Sequence, residues 1–389
     1  MVMRVYKLNI FNNKKITACK CIIREKGKCT VVRMDARKAL LYKRIGEPAK
    51  KLVHCKLCSH YCIIKEGEVG KCLVRKNIGG TLYSLNWGKS AGFAIDPIEK
   101  KPFFHFKPGT RVLSFGTPGC NFRCLNCQNW DLSQAVREGG SNALGVPTTT
   151  PQQIARMAKE NKADGIAYTY SEPTIFYEYA KDTVLACRKM GLPLFHLFVS
   201  NGYFTREMLQ EVAREKLLAG IRIDLKFTND EKYMQVCAAH VQIVKDNIKR
   251  VHALKGQIAL EVIALIIPTL NDSEEELREM CKFVSSVGKE IPLHFSRFYP
   301  QYKMQGLAPT PEKTLLRARE IAKEEGLEYA YIGNTDLKGV ENTRCPKCNA
   351  LLVERDRYSI GKNVFGKLSE KERKNPKCPQ CGYGINITI

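Results

Sequence analysis

The sequence predicts an α/β fold: a parallel sheet closed or partly closed as a barrel, preceded by a cysteine-rich metal-binding region and followed by a second set of paired cysteines. Three observations carry this. Six apolar runs alternate with helical stretches between residues 111 and 298. Most of the 17 cysteines fall in metal-like groups, before those units, after them and in the loop that follows the first run. Finally, 389 residues with 44% apolar content are enough for one large core and one or two small ones.

Residues 1–50 read as an N-terminal extension. Cys19, Cys21 and Cys29 stand there among lysines without a helical period and are taken as incidental thiols. The chain opens without an apolar stretch before a cleavage site, and its most apolar run, 258–267, is interrupted by Glu261. A soluble, cytoplasmic protein with no membrane partner is expected. In a reducing compartment the cysteines are ligands rather than disulfides.

Residues 51–108 form the cysteine-rich region and its linker. Cys55, Cys58, Cys62 and Cys72 are spaced C-x2-C-x3-C-x9-C, with Gly67 and Gly70 allowing tight turns between them. Four thiolates suit zinc, the first reading, or an iron-sulfur cluster, the other. The linker 96–109 is rich in proline and paired charges and is expected to pack across one end of the core. His105, between two phenylalanines, reads as structural.

Residues 109–340 form the central domain. Runs at 111–115, 165–170, 193–199, 220–225, 258–267 and 292–298 read as strands, and 151–163, 173–190, 205–217, 230–254 and 273–289 as helices. Ser273 and Glu276 make a capping-box start. A helix at 315–325 and a strand-like run at 329–333 extend the edge. Strand-helix repetition gives a parallel sheet, whose chemistry collects where strands end. Polar residues stand at those ends: Tyr170, Ser171, Glu172 and Pro173, then Ser200 and Asn201, Asp224 and Lys226, and His294.

Residues 341–389 contain Cys345-x2-Cys348 and Cys378-x2-Cys381, the spacing of a zinc ribbon. The formal charge of +24 favours an acidic partner, or else marks the lysine-rich surface of a heat-adapted protein.

The segment Gly119-Cys120-Asn121-Phe122-Arg123-Cys124-Leu125-Asn126-Cys127 places three cysteines in a loop leaving the first strand, with no fourth cysteine or histidine nearby in sequence. Three thiolates hold three irons of a 4Fe-4S cube and leave one open. This spacing and context resemble the radical S-adenosylmethionine (SAM) enzymes, particularly the branch of the glycyl-radical activating enzymes. The resemblance implies a partial six-stranded (β/α)6 barrel of TIM type, a 4Fe-4S cluster on Cys120, Cys124 and Cys127, and reductive cleavage of SAM to a 5'-deoxyadenosyl radical.

It also implies that Tyr170, Ser171, Glu172 and Pro173 form the segment binding the SAM amino group. Ser200 with Asn201, Asp224 with Lys226, and His294 supply further contacts. Two positions depart from the family: Asn126 replaces the usual aromatic residue before the third cysteine, and Val199 replaces an acid that helps some activating enzymes hold a cation.

Segments around 57–62, 96–106, 127–134, 294–300 and 345–355 resemble the radical SAM protein of the AmmeMemoRadiSam system. That likeness implies AMMECR and Memo proteins as partners and reduced ferredoxin or flavodoxin as electron donor. The substrate, a protein or a small molecule, is not implied. The alternatives are an RNA-modifying radical SAM enzyme, which the positive charge would serve, and a non-catalytic metal-binding nucleic-acid or scaffold protein.

Overall fold

The computed structural model describes residues 20–25, 28–33 and 36–389. Cys19 lies outside them, and Cys21 and Cys29 are described in backbone only, in an antiparallel hairpin of Lys20–Glu25 and Lys28–Arg33.

The core is an eight-stranded, mostly parallel sheet in a mixed α/β fold. Its strands are β1 (Ala91–Pro97), β2 (Arg111–Gly116), β3 (Gly165–Tyr168), β4 (Phe195–Ser200), β5 (Gly220–Asp224), β6 (Ala259–Ile266), β7 (Leu293–Arg297) and β8 (Ala330–Gly333). They lie side by side in chain order. Strands β2 to β8 run parallel, while β1 is an antiparallel edge paired through Val112↔Asp96. The six expected strands and the seventh at the edge are thus present. The antiparallel eighth is not among the expected strands, and only its last two residues, Asp96 and Pro97, fall in the expected linker.

Helices cross between the parallel strands: α1 (Pro151–Glu160), α2 (Tyr177–Lys189), α3 (Arg206–Arg214), α4 (Asp230–Cys237), α5 (Val241–His252), α6 (Glu274–Val287) and α7 (Glu312–Glu324). Strand β3 is buried at every residue, with Ile166 and Tyr168 in the main core and Ala167 packed with Phe103 and Phe106. Thr150 and Gln153 make a reciprocal capping box at α1. At α6 only half of the expected box forms: Ser273 accepts from the Glu276 N–H, but the Glu276 carboxylate accepts from the N–H and hydroxyl of Thr228 instead. The stretch 230–254 is two helices rather than one. Ala238 adopts a left-handed conformation (φ 56°) and stops α4, leaving the carbonyls of Val236 and Cys237 free to accept from Leu125 and Arg123.

The linker packs as its composition suggests. Phe103 and Phe106 bury against Val112, Ala167 and Leu197 near the starts of β2, β3 and β4. His105 is buried between the Asn386 carbonyl and the Tyr331 hydroxyl, 2.6 Å from the latter, a structural role. Before the sheet, Tyr42–Ile45 pairs with Leu52–Cys55 and Arg37–Lys38 with Thr81–Ser84, so the ladders run across position 50. After it, three strands (Thr343–Arg344, Leu351–Asp356, Ser359–Asn363) share a small core with Phe104, Tyr329 and Tyr331. Cys345, Cys348, Cys378 and Cys381 bring their sulfurs within 4.8 Å of one another there.

Candidate active site

Strand β2 ends at Gly116, where a Cβ would stand 2.5 Å from the Thr169 carbonyl. Gly119 follows with φ +104°, and a Cβ there would meet Val74 at 2.9 Å. The chain can therefore turn tightly beneath the N-terminal region and present Cys120. From Cys120 to Cys127 the loop is pinned by donation from Arg123 and Leu125 to the last carbonyls of α4, and by Lys303 donating to Leu125. The Phe122 N–H points at Cys120 Sγ (3.4 Å), and Ser133 Oγ lies 3.0 Å from Cys127 Sγ.

Burial pushes the Cys120 and Cys127 thiols up, and the Glu172 carboxylate adds to the effect at Cys120. Cys124 is held below the ordinary thiol value, first by a hydrogen bond with Cys237 and also by the Lys226 ammonium. Cys237 is the fourth cysteine that sequence proximity did not offer. The end of α4 carries it to Cys124, 113 positions back along the chain. It is fully buried.

A cavity of 420 Å³ opens over the loop. Cys120, Cys124 and Cys127 line it, while Cys237 does not. Of the strand-end residues, Tyr170, Ser171, Glu172, Ser200, Asn201, Asp224, Lys226 and His294 all line it. Pro173 does not: it is buried at the first position of a short 3-10 helix, Pro173–Phe176. Val199 lines the cavity as an apolar side chain.

Glu172 is buried, which raises its pKa against the pull of four donors. Oε1 accepts from the Thr174 N–H (3.0 Å) and hydroxyl (2.5 Å) and from Ser200 Oγ (2.8 Å), and Oε2 from the Asn201 N–H (2.7 Å). The Asn201 amide donates in turn to Asn121 Oδ1 in the cysteine loop. Asp224 lies 2.6 Å from Arg222 and 2.8 Å from Lys226. Burial alone would raise its pKa, but the two cations outweigh burial and hold it below the carboxylate range. His294 meets Glu261 at 2.7 Å and stacks on Tyr331. Burial outweighs that carboxylate and lowers the imidazole pKa, so the neutral ring donates from Nε2 and keeps Nδ1 as an acceptor.

Sequence reasoning missed Arg222, Glu261 and Lys101. Arg222, Asp224 and Lys226 recur at the two-residue period of one strand face, a signal that was present. Glu261, alone in an apolar run, accepts from the N–H groups of Phe104 and His105 as well as from His294. Lys101 had no signal: burial lowers it to about 8, and it donates to Asp96 at 2.6 Å. Asp96 also accepts from the Tyr170 hydroxyl. From the C-terminal region Glu341 reaches the cavity, pushed up to about 7 by burial, and so does Tyr358. At Asn126, Oδ1 is buried without a hydrogen-bond partner.

The pattern of the Radical SAM superfamily matches residues 115–284, from the end of β2 into α6. The uncharacterized protein MJ0808 of Methanocaldococcus jannaschii is 41% identical over 354 residues, spanning 91% of this chain and 100% of that protein. The chain belongs to the radical SAM superfamily. A second uncharacterized protein of that organism, MJ0674, is 25% identical over 295 residues, covering 73% of this radical SAM chain and 76% of its own. Among solved structures, a domain of pyruvate-formate lyase-activating enzyme from Bacteroides vulgatus is 18% identical, covering 44% of this chain and 100% of that domain, with a TM-score of 0.38. A radical SAM methyltransferase from Sphaerobacter thermophilus is 14% identical, covering 57% and 66%, with a TM-score of 0.43. Likenesses this distant do not bear on the activity of this radical SAM protein. Among the described residues no helix is long and apolar enough to cross a membrane.

Proposed function

We propose that this radical SAM protein binds a 4Fe-4S cluster through Cys120, Cys124 and Cys127 and cleaves SAM reductively to abstract hydrogen from a substrate held in the same cavity. One observation carries the reading: three thiols share a single cavity with the carboxylates, cations and histidine that β3, β5 and β7 and the loops after them supply. The donor set fits the groups. Three thiolates leave one iron of a cube open, and SAM offers an ammonium, a carboxylate and an adenine to opposite charges and to amides. When bound, the cluster supplies one electron to the sulfonium.

The side chains divide the rest of the work. A carboxylate has about four acceptor sites, and Oε2 of Glu172 has only Asn201 on it, so it retains capacity for the SAM ammonium. Arg222 and Lys226 hold Asp224 ionised beside the cavity as an acceptor. His294 contributes Nδ1, its ring fixed by Glu261. Asn126 Oδ1, left unpartnered and buried, accepts from the adenine amino group in place of the aromatic packing that the family usually uses.

The eight-stranded sheet is read as a partial barrel, and the C-terminal cysteines as a zinc ribbon. Tetrahedral zinc with bonds of about 2.3 Å sets sulfurs about 3.8 Å apart, and Cys345–Cys381 and Cys348–Cys378 are each 3.6 Å apart. Glu341 and Tyr358 carry this region to the cavity, where with Lys101 they favour a polar substrate, a protein segment or a small molecule. The electron donor is a low-potential carrier of the ferredoxin or flavodoxin class. Anaerobic reconstitution followed by dithionite and SAM tests the reading: 5'-deoxyadenosine forms with the wild type and not with Cys124→Ala. No cleavage by a fully loaded cluster would overturn it.

A further inference from the structure

We propose that Cys55, Cys58, Cys62 and Cys72 hold a second 4Fe-4S cluster, which passes electrons to the Cys120 site. The four thiols are built as a set. The Cys55 N–H donates to the Cys62 carbonyl, and Tyr61 and Leu73 take left-handed conformations (φ 45° and 63°) that fold the loops back on themselves. The Lys71 N–H bonds the Cys62 sulfur at 3.5 Å, as the Phe122 N–H bonds Cys120 at 3.4 Å. The four thiols lie near enough that the charge of each would bear on the others.

Two features select a cluster over a single ion. Among the described residues, the C-terminal quartet is the group whose ligand atoms all fall within 4.8 Å; the N-terminal quartet is set wider. One zinc would draw four sulfurs to about 3.8 Å, whereas a cube with a thiolate on each iron keeps them further apart. The other feature is Arg75, only 2% exposed, whose charge bears on Cys55 and Cys72 and whose Nε has no hydrogen-bond partner. A buried, unsatisfied N–H beside thiolates is costly unless a sulfur-rich anion accepts from it.

The place of the quartet gives it a use. The Cys72 carbonyl stands 3.4 Å from where a Gly119 Cβ would be, immediately before Cys120. His60 Nε2 meets the Asn121 carbonyl at 2.8 Å. Arg137 donates to the Lys71 carbonyl and feels the charges of both Cys72 and Cys120. On the outer side, Tyr61, Ile63 and Val69 are exposed. A reduced, low-potential electron-carrier protein gives one electron to the quartet's cluster, which gives one electron to the Cys120 site and returns to its resting state. The ligand set stands by itself; the relay role rests on the proposed function of the Cys120 site.

The test is metal analysis and electron paramagnetic resonance of the full-length chain, reconstituted anaerobically with iron and sulfide. The wild type should hold about eight irons. Cys120→Ala/Cys124→Ala/Cys127→Ala and Cys55→Ala/Cys58→Ala should each lose half. The reduced wild type should show two signals, one altered by SAM and one not, a readout that does not require any variant to fold. If the wild type holds about four irons and two zincs, with a single signal that SAM alters, this inference is overturned and the proposed function stands. If two signals are present and SAM alters neither, the quartet's cluster stands and the proposed function falls.

Discussion

Replacing Arg75 by methionine should cost more stability than removing both members of its ion pair. Arg75 donates to both oxygens of Glu178 at 2.9 Å and to the Leu40 carbonyl at 2.9 Å, while Glu178 also accepts from the Leu40 N–H at 2.7 Å. Both side chains are 2% exposed. Arg75→Met strips Glu178 of its cation, leaving a buried charge with one donor and an orphaned carbonyl, a loss of about 4 kcal/mol. Glu178→Leu alone strands the guanidinium and should cost about the same. In Arg75→Met/Glu178→Leu only the two backbone groups of Leu40 stay unpaired, so the cost falls to about 2 kcal/mol.

The assay is urea unfolding followed by Trp87, one of two tryptophans, in a Trp130→Phe background. Trp87 donates to Asp182 at 2.9 Å, one turn beyond Glu178 on α2, so its fluorescence follows the docking of the N-terminal region. A double variant as damaged as the sum of the two singles would refute the reasoning.

Three further outcomes are expected. Burial depresses His105 to about 4 from 6.5, against the opposing pull of Glu261 and with Arg355 and His294 also facing it. The unfolded chain then binds the extra proton, so this contribution is complete above pH 6.5 and is lost toward pH 4, about 3 kcal/mol in all. Unfolding measured against pH should have a shallower acid slope in His105→Asn, and an unchanged slope would contradict the assignment. Asn126→Ala should weaken SAM binding by roughly tenfold, the value of one buried hydrogen bond, while the iron content measured beside it stays constant; undiminished SAM affinity would remove Asn126 from the adenine site. Cys348→Ser should release one zinc per chain and loosen the C-terminal region, seen as faster proteolysis after residue 341, because a structural zinc supplies on the order of 10 kcal/mol of folding free energy.

The strand-helix units were legible because apolar runs and caps are local. So was the cysteine loop, whose three cysteines lie within eight residues. What escaped was whatever depends on the chain returning to itself. Cys237 reaches Cys124 only because Ala238 ends α4 where the loop needs its carbonyls. Lys101 sat in a proline-rich stretch that looked irregular, yet β1 places it beside Asp96 and Tyr170. Glu261 was noticed only as an interruption of an apolar run, although a buried carboxylate in a parallel strand demands partners. The break at 238 was hidden because alanine favours helix, and here tertiary hydrogen bonds overrode that preference.

The most direct measurement is the electron paramagnetic resonance spectrum of the reduced protein before and after adding SAM, restricted to the component that disappears in Cys120→Ala. The account predicts that this component changes on SAM addition, in the wild type and equally in Cys237→Ala, because Cys237 is buried outside the cavity. A component that ignores SAM in the wild type and responds only once Cys237 is removed would mean that Cys237 occupies the fourth iron.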